Sequence, residues 1–171
     1  RRAFLGFLVL AAAGAFPEPV ASAVPAPVAM LEIPGIDPPG KQPVHEGVSA
    51  ASLSAGVGHY PGTALPGEPG NTVLLGHRTL RPAPFRALDR LRRGAEIRLY
   101  AGGVRHAYRV ESVRVTTPAD GGVLAAVPFD PAAEPAGRFV TLVTCHPKGS
   151  DEFRLVVVAR STAAEVNPAW P

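Results

Sequence analysis

A chain of 171 residues is long enough for one domain with a real core, and its formal net charge of +3 is too small to point to a nucleic-acid partner. Proline (20) and glycine (18) together exceed a fifth of the residues while aromatics supply 6%, which favours a loop-rich β fold over a helical bundle. The single cysteine, Cys145, excludes an intramolecular disulfide.

Arg1-Arg2 precedes an uncharged apolar stretch from Ala3 to Phe16. It is shorter than the ~20 residues that span a bilayer. Positive charge ahead of an apolar run marks a signal peptide or signal anchor, and Ala21-Ser22-Ala23 has the small residues of a cleavage site. Residues 1–16 are therefore read as an N-terminal signal peptide or anchor, expected to be truncated because the chain does not begin with Met. Residues 17–30 alternate Pro, Ala and Val and read as an extended linker, since Pro17, Pro19, Pro25 and Pro27 disfavour helix and central strand. Residues 31–161 form the domain, and 162–171 a C-terminal tail.

Within the domain, Leu31-Glu32-Ile33-Pro34 opens with a strand, and 42–48 predicts a second. Residues 50–56 predict one or two helical turns ended by Gly56. A loop over 61–70, which leaves His59 in loop, precedes a strand over 72–77. Phe85, Leu88 and Leu91, three apart, give the apolar stripe of a short helix with Gly94 as its stop. Glu96 to Tyr100 and His106 to Thr116 predict a hairpin turning at Ala101-Gly102-Gly103, and a phase shift predicts a bulge near Glu111-Ser112. Residues 118–135 read as a long loop with a helical turn near Val123-Leu124. Arg138 to Cys145 and Phe153 to Arg160 close the sheet. Many short strands and few helices predict a mainly β fold, a closed or nearly closed barrel, since closure removes exposed strand edges.

Three residue types on this scaffold carry chemistry. Cys145 ends the run Thr141-Leu142-Val143-Thr144-Cys145. Arg154 opens the next apolar run, and His77 follows Asn71-Thr72-Val73-Leu74-Leu75-Gly76. A thiol, an imidazole and a guanidinium at strand ends are the parts of thiol-based acyl transfer. Cys145 is the candidate nucleophile. His77 is the candidate acid/base, and Arg154 the candidate oxyanion and substrate-orienting group. Among the other histidines, His146 adjoins the nucleophile and alternation sends it to the opposite face, though its N–H is placed to help hold an oxyanion. His45 and His106 read as solvated. Arg78 is expected to point away from His77. Thr144 is a candidate substrate contact where the strand end is irregular. Val73, Leu75, Val140 and Leu142 are parity-compatible with one face, with core packing the expected job of most of them. Scattered acids, Glu68, Asp89, Asp120 and Asp130, give no Ca²⁺ cluster, so neither metal nor cofactor is expected.

Thr-Leu-Val-Thr-Cys145 with Arg154 after it, Gly76-His77-Arg78 upstream, and the stretch from Gly58-His59-Tyr60-Pro61-Gly62-Thr63 to Pro66-Gly67-Glu68-Pro69-Gly70-Asn71 resemble the sortases, cysteine transpeptidases of Gram-positive cell surfaces. The resemblance covers roughly Leu31 to Arg160 and leans toward class E, with class D the neighbour. It implies a sortase-like closed β-barrel of about eight strands with short helices. It implies cleavage of an LPxTG- or LAxTG-like sorting signal between Thr and Gly through a thioacyl intermediate on Cys145. The acceptor would be a peptidoglycan precursor amine or a pilin lysine. The implied partners are surface proteins bearing such signals. The implied location is the extracytoplasmic face of the membrane, held by the N-terminal segment. After Gly76-His77-Arg78-Thr79 the class E pattern has an aromatic two positions on; here Leu80-Arg81-Pro82 stands, which leaves the sorting motif open and makes Arg81 a candidate substrate contact. The alternatives are a cysteine peptidase, a catalytically inactive sortase-like binding domain, an L,D-transpeptidase, whose usual motif packs His, Gly and Cys closer together, and a metal-carrying domain using His77, Cys145 and His146.

Overall fold

The structure, a computed structural model, describes residues 24–166. The expected signal or anchor segment lies outside them, as do the first half of the linker and the end of the tail. Eight strands form a closed barrel: β1 (Ala29–Glu32), β2 (Lys41–Glu46), β3 (Val57–His59), β4 (Gly70–Leu75), β5 (Glu96–Ala101), β6 (Val104–Thr116), β7 (Arg138–His146) and β8 (Phe153–Val166). Their order around the barrel is β1-β2-β3-β4-β7-β8-β6-β5, with β5 returning to β1. One short helix, α1 (Ala50–Ala55), and two 3-10 turns, Leu88–Arg90 and Gly121–Leu124, complete the elements.

The hairpin β5–β6 turns at Gly102 and Gly103, both at positive φ (54° and 75°), a pair of conformations that suits glycine in a two-residue turn. The register of β6 against β8 shifts between Val110 and Ser112, where the sequence phase slips, and again between Ala107 and Tyr108. Gly56 caps α1 as expected, its N–H donating to Ser52 O.

Four expectations change. Residues 84–91 do not form an α-helix. Phe85, Leu88 and Leu91 are buried as the stripe requires, but only Leu88–Arg90 winds, as a single 3-10 turn, because the segment folds back against the barrel immediately after His77. Val57–His59 is a strand, so His59 is not a loop residue: it is 2% exposed and its Nδ1 lies 2.7 Å from Glu46 Oε2. His45 is buried rather than solvated, its Nδ1 2.8 Å from Pro25 O. The domain limits at 31 and 161 fall inside strands. β1 starts at Ala29, and β8 continues to Val166 because its last residues pair with the start of β6, although Ser, Thr and Ala give little strand signal.

Two apolar clusters follow from the two-residue alternation of the strands. Leu31, Val44, Leu74, Leu99, Leu142, Leu155 and Val157 point inward and fill the barrel. Val73, Val143, Val156 and Val158 point outward and are covered by Val123, Val127 and Phe129 of the long β6–β7 connection. That second, outer cluster lies where the site is built.

Candidate active site

Cys145 is the penultimate residue of β7, and its partner across the ladder on β8 is Arg154. On the other side of β7, β4 runs parallel, register-paired up to Leu75 with Val143. The same register carried two positions beyond β4 sets His77 opposite Cys145. The three residues singled out by their chemistry therefore come from three neighbouring strands and stand in a row at one barrel end. Alternation places them outward. Val73 and Leu75 lead to His77, Val143 leads to Cys145, and Arg154 precedes Val156, whereas Leu74, Leu142 and Leu155 occupy the core.

Clefts open on both sides of the Cys145–His77 pair. One, of about 180 Å³, is mostly apolar and is lined by Leu53, Leu75, Val143, Cys145, His77 and Arg154. It shares Leu75, Val143 and Arg154 with a longer cleft of about 290 Å³ under the β6–β7 connection, where Tyr60, Val73, Val123 and Leu124 form the walls. The third cleft, of about 250 Å³, lies on the other side and again includes His77 and Cys145, now with Thr79, Leu80, Ser150 and Asp151. The track thus passes Arg154, meets the thiol and imidazole, and continues on the other side past Thr79, Ser150 and Asp151, with apolar surface predominating in all three clefts.

Arg154 is aimed by its own loop: its Nη1 donates to Asp151 O (2.7 Å) and Phe153 O (3.0 Å). The wall of the longer cleft is hooked in place by Asn71. Its Nδ2 donates to Val123 O and Ala125 O, both at 3.0 Å, while Thr141 Oγ1 donates to its Oδ1 at 2.7 Å.

Beyond the last β4–β7 ladder pair, the join is continued residue by residue. Gly76 N–H donates to Val143 O, and Thr144 Oγ1 donates to Gly76 O at 2.7 Å. Arg78 Nη1 donates to Cys145 O (3.1 Å) and to His146 Nδ1 (2.9 Å). The His146 ring accepts at Nδ1, which leaves its other nitrogen to carry the proton in the neutral form. Arg78 is only 4% exposed and pairs through Nη2 with Asp89 Oδ2 at 3.3 Å. Against the opposing effect of partial burial, a backbone hydrogen bond and the charges of Arg78 and Lys148 hold the Asp89 carboxyl below its ordinary range. The arginine next to the imidazole therefore ties the imidazole's loop to the strand of the thiol. The sequence reading did not find this tie, because its partners, the Cys145 carbonyl, His146 and Asp89, meet only in the folded chain. The signal available in the sequence was the short spacing from His77-Arg78 to Asp89.

The other expected residues fare as follows. Thr144 lines the smaller apolar cleft but is 3% exposed with its hydroxyl engaged on Gly76, so its visible work is to join the strands. His146 lines neither cleft beside Cys145; its ring meets Arg78, which does line the 250 Å³ cleft, and presents Nδ1 to that cation rather than to a metal shared with His77. Arg81 is exposed and lines neither of those clefts, because the chain turns away at Ala83 (φ 53°) to bring Phe85 under His77. Val140 and Leu142 do not share a face with Val73. The parallel register pairs Val73 with Thr141, which sends Val140 and Leu142 into the core and leaves Val143 to line the cleft.

A sortase-domain family model matches residues 31–162. Sortase SrtE1 of Streptomyces coelicolor is 35% identical over 137 residues, covering 75% of this chain and 38% of that protein. The solved sortase E of Streptomyces avermitilis superposes with a TM-score of 0.74 at 34% identity, over 85% of this chain and 95% of that one. A solved sortase E1 of Streptomyces coelicolor with a tripeptide in its active site gives a TM-score of 0.74 at 30% identity, over 82% and 90% of the two chains. The chain spans between 38% and 54% of the length of the curated relatives it matches.

Proposed function

The chain belongs to the sortase family, and from that premise we propose that it is a cysteine transpeptidase acting at the extracytoplasmic face of a membrane on proteins that carry an LPxTG- or LAxTG-like sorting signal. The observation that carries this reading is the row His77–Cys145–Arg154, at the ends of the neighbouring segments that follow β4, close β7 and open β8, with a cleft on either side of the reacting pair.

In this mechanism the sorting peptide lies along the apolar track, its side chains against Val73, Leu75, Val143 and Leu124. The Cys145 thiolate adds to the carbonyl of the signal's Thr. Negative charge gathers on that oxygen, and Arg154, fixed by two backbone carbonyls, offers its remaining N–H groups to it. The C–N bond to Gly breaks as the His77 imidazolium gives its proton to the departing amine, leaving a thioester on Cys145. A second amine enters from the cleft beside Ser150 and Asp151, loses its proton to His77 and attacks the thioester, and the thiolate leaves. The acceptor is a peptidoglycan precursor amine or a pilin lysine, and water is the slow substitute. The apolar N-terminal stretch is the membrane attachment in this reading. Among the described residues no helix is long and apolar enough to cross a membrane.

The test is incubation with LAxTG and LPxTG peptides, with and without oligoglycine, read by mass spectrometry beside Cys145→Ala. Ligated product that requires Cys145 is expected. Cleavage that gives only the free acid when amine is plentiful would instead assign a cysteine peptidase. No turnover, with the fold intact, would assign a binding domain.

A further inference from the structure

The end of the barrel opposite Cys145 carries a cleft that this chemistry does not use. It measures about 460 Å³ and is lined by Gly67, His106, Gly137, Arg138, Arg160 and Thr162, together with Ala136 and Ser161. Strand directions fix its place. Arg138 starts β7 while Cys145 stands near its end, and β8 passes Arg160 as it leaves the site. β1 pairs antiparallel with β5, Met30 opposite Tyr100, so the chain also enters the barrel at this end.

The lining contains two guanidiniums, an imidazole and two hydroxyls, and no carboxylate. Both guanidiniums are held by groups that leave their charge intact. Arg138 Nε donates to Gly67 O at 2.6 Å, and Arg160 lies over the Phe139 ring, 5.0 Å from its centroid. Neither has a carboxylate within ion-pair distance among the described residues. Close packing keeps the frame rigid. A Cβ on Gly67, which has φ +89°, would fall 2.3 Å from His106 Cε1, and one on Gly137 would crowd the Arg160 guanidinium at 3.3 Å. Burial, with the Arg138 charge beside it, holds the His106 imidazole below the ordinary histidine range. The buried Tyr108 hydroxyl lies beside Gly67 and Arg138, behind this lining. A concave site with two preset, unneutralised forks of N–H donors suits a tetrahedral oxyanion.

We propose that this cleft, at the end where the chain enters the barrel, binds a phosphate group, with Arg138 and Arg160 as its ligands and the Thr162 hydroxyl at its rim. The same chemistry is offered by a phospholipid headgroup and by a soluble phosphate ester, and the inference does not depend on the transpeptidase reading.

The test uses the full chain in a neutral detergent, with sodium phosphate and glycerol phosphate as soluble probes, and phosphatidylglycerol against phosphatidylcholine bicelles as the lipid arm. The soluble probes are expected to raise Tm, against chloride at equal ionic strength, by about 3–6 °C at ten times their Kd, and to shift the His106 ring resonances with the same saturation. Arg138→Gln/Arg160→Gln is expected to lose both responses, and Arg109→Gln, an exposed arginine outside the cleft, to keep them. A response to phosphatidylglycerol alone assigns the site to lipid, and a response to the soluble probes alone assigns it to a soluble ester. Absence of all responses, or responses undiminished in the double variant, overturns the proposal.

Discussion

At the residue scale, each member of the row has a separable task, and substitution should distinguish them. Arg154→Ala removes the one side-chain cation that, among the described residues, lines both donor-side clefts. We expect kcat for sorting-peptide cleavage to fall by about 10²–10³, the usual loss for an oxyanion donor, and steady-state kinetics with a quenched peptide reads it directly. Arg78 touches no reacting atom and is a positioning residue. It joins the peptide after Cys145 to the loop of His77. Arg78→Met should lower kcat by roughly 10–100-fold, through misplacement of about 1 Å, with KM nearly unchanged. Arg78→Lys should recover little, because one ammonium cannot reach Cys145 O, His146 and Asp89 together. A parallel rise in KM would show instead that Arg78 shapes the peptide cleft. Cys145, His77 and Arg154 were singled out in the sequence by residue type, by position at strand ends and by the sortase-like motifs around them. The task of Arg78 was not legible, since its partners Cys145 O, His146 and Asp89 are brought together only by tertiary structure.

At the element scale, the connection between β6 and β7 decides the shape of the donor cleft, and a buried amide holds it. Asn71→Ala would leave Val123 O, Ala125 O and Thr141 Oγ1 without their partner. We expect a loss of about 1–3 kcal/mol in urea unfolding, together with a clear rise in KM for the peptide while acyl transfer from a small activated thioester is retained. An unchanged KM would detach this connection from substrate binding. Most strands here were readable, because β-branched runs bounded by glycine and proline leave little alternative. The bulge in β6 was readable from its phase slip. The three-residue β3 was not, since Val57-Gly58-His59 has no alternation to detect and pairs only because β2 and β4 flank it. The helix over 84–91 was over-read for a related reason. A stripe of Phe85, Leu88 and Leu91 is satisfied equally by one 3-10 turn pressed on the core.

At the scale of the whole molecule, barrel closure brings the chemistry together, because His77 and Cys145 are far apart in sequence and meet only through the parallel pairing of β4 with β7. Closure in turn passes through β3, where the backbones approach closely. A Cβ on Gly58 would lie 2.5 Å from Gly47 O. Gly58→Ala should therefore cost about 1–3 kcal/mol, seen as a lower Tm, and reduce activity in step with the folded fraction. A barrel was legible from the count of short strands. Which ends of which strands coincide was not, because register follows from inward packing of Leu74 and Leu142 rather than from any local pattern.

The proposed transpeptidation passes through one species, the thioester between Cys145 and the acyl part of the sorting peptide. Intact-mass spectrometry of the protein mixed with sorting peptide in the absence of amine should reveal an adduct that ends at the signal's Thr. It should map to Cys145, disappear on addition of oligoglycine with ligated peptide formed in its place, and be missing from Cys145→Ala. Peptide cleaved at the same bond by Cys145→Ala, or cleaved by the unaltered protein with an adduct on no residue or on another, would contradict it.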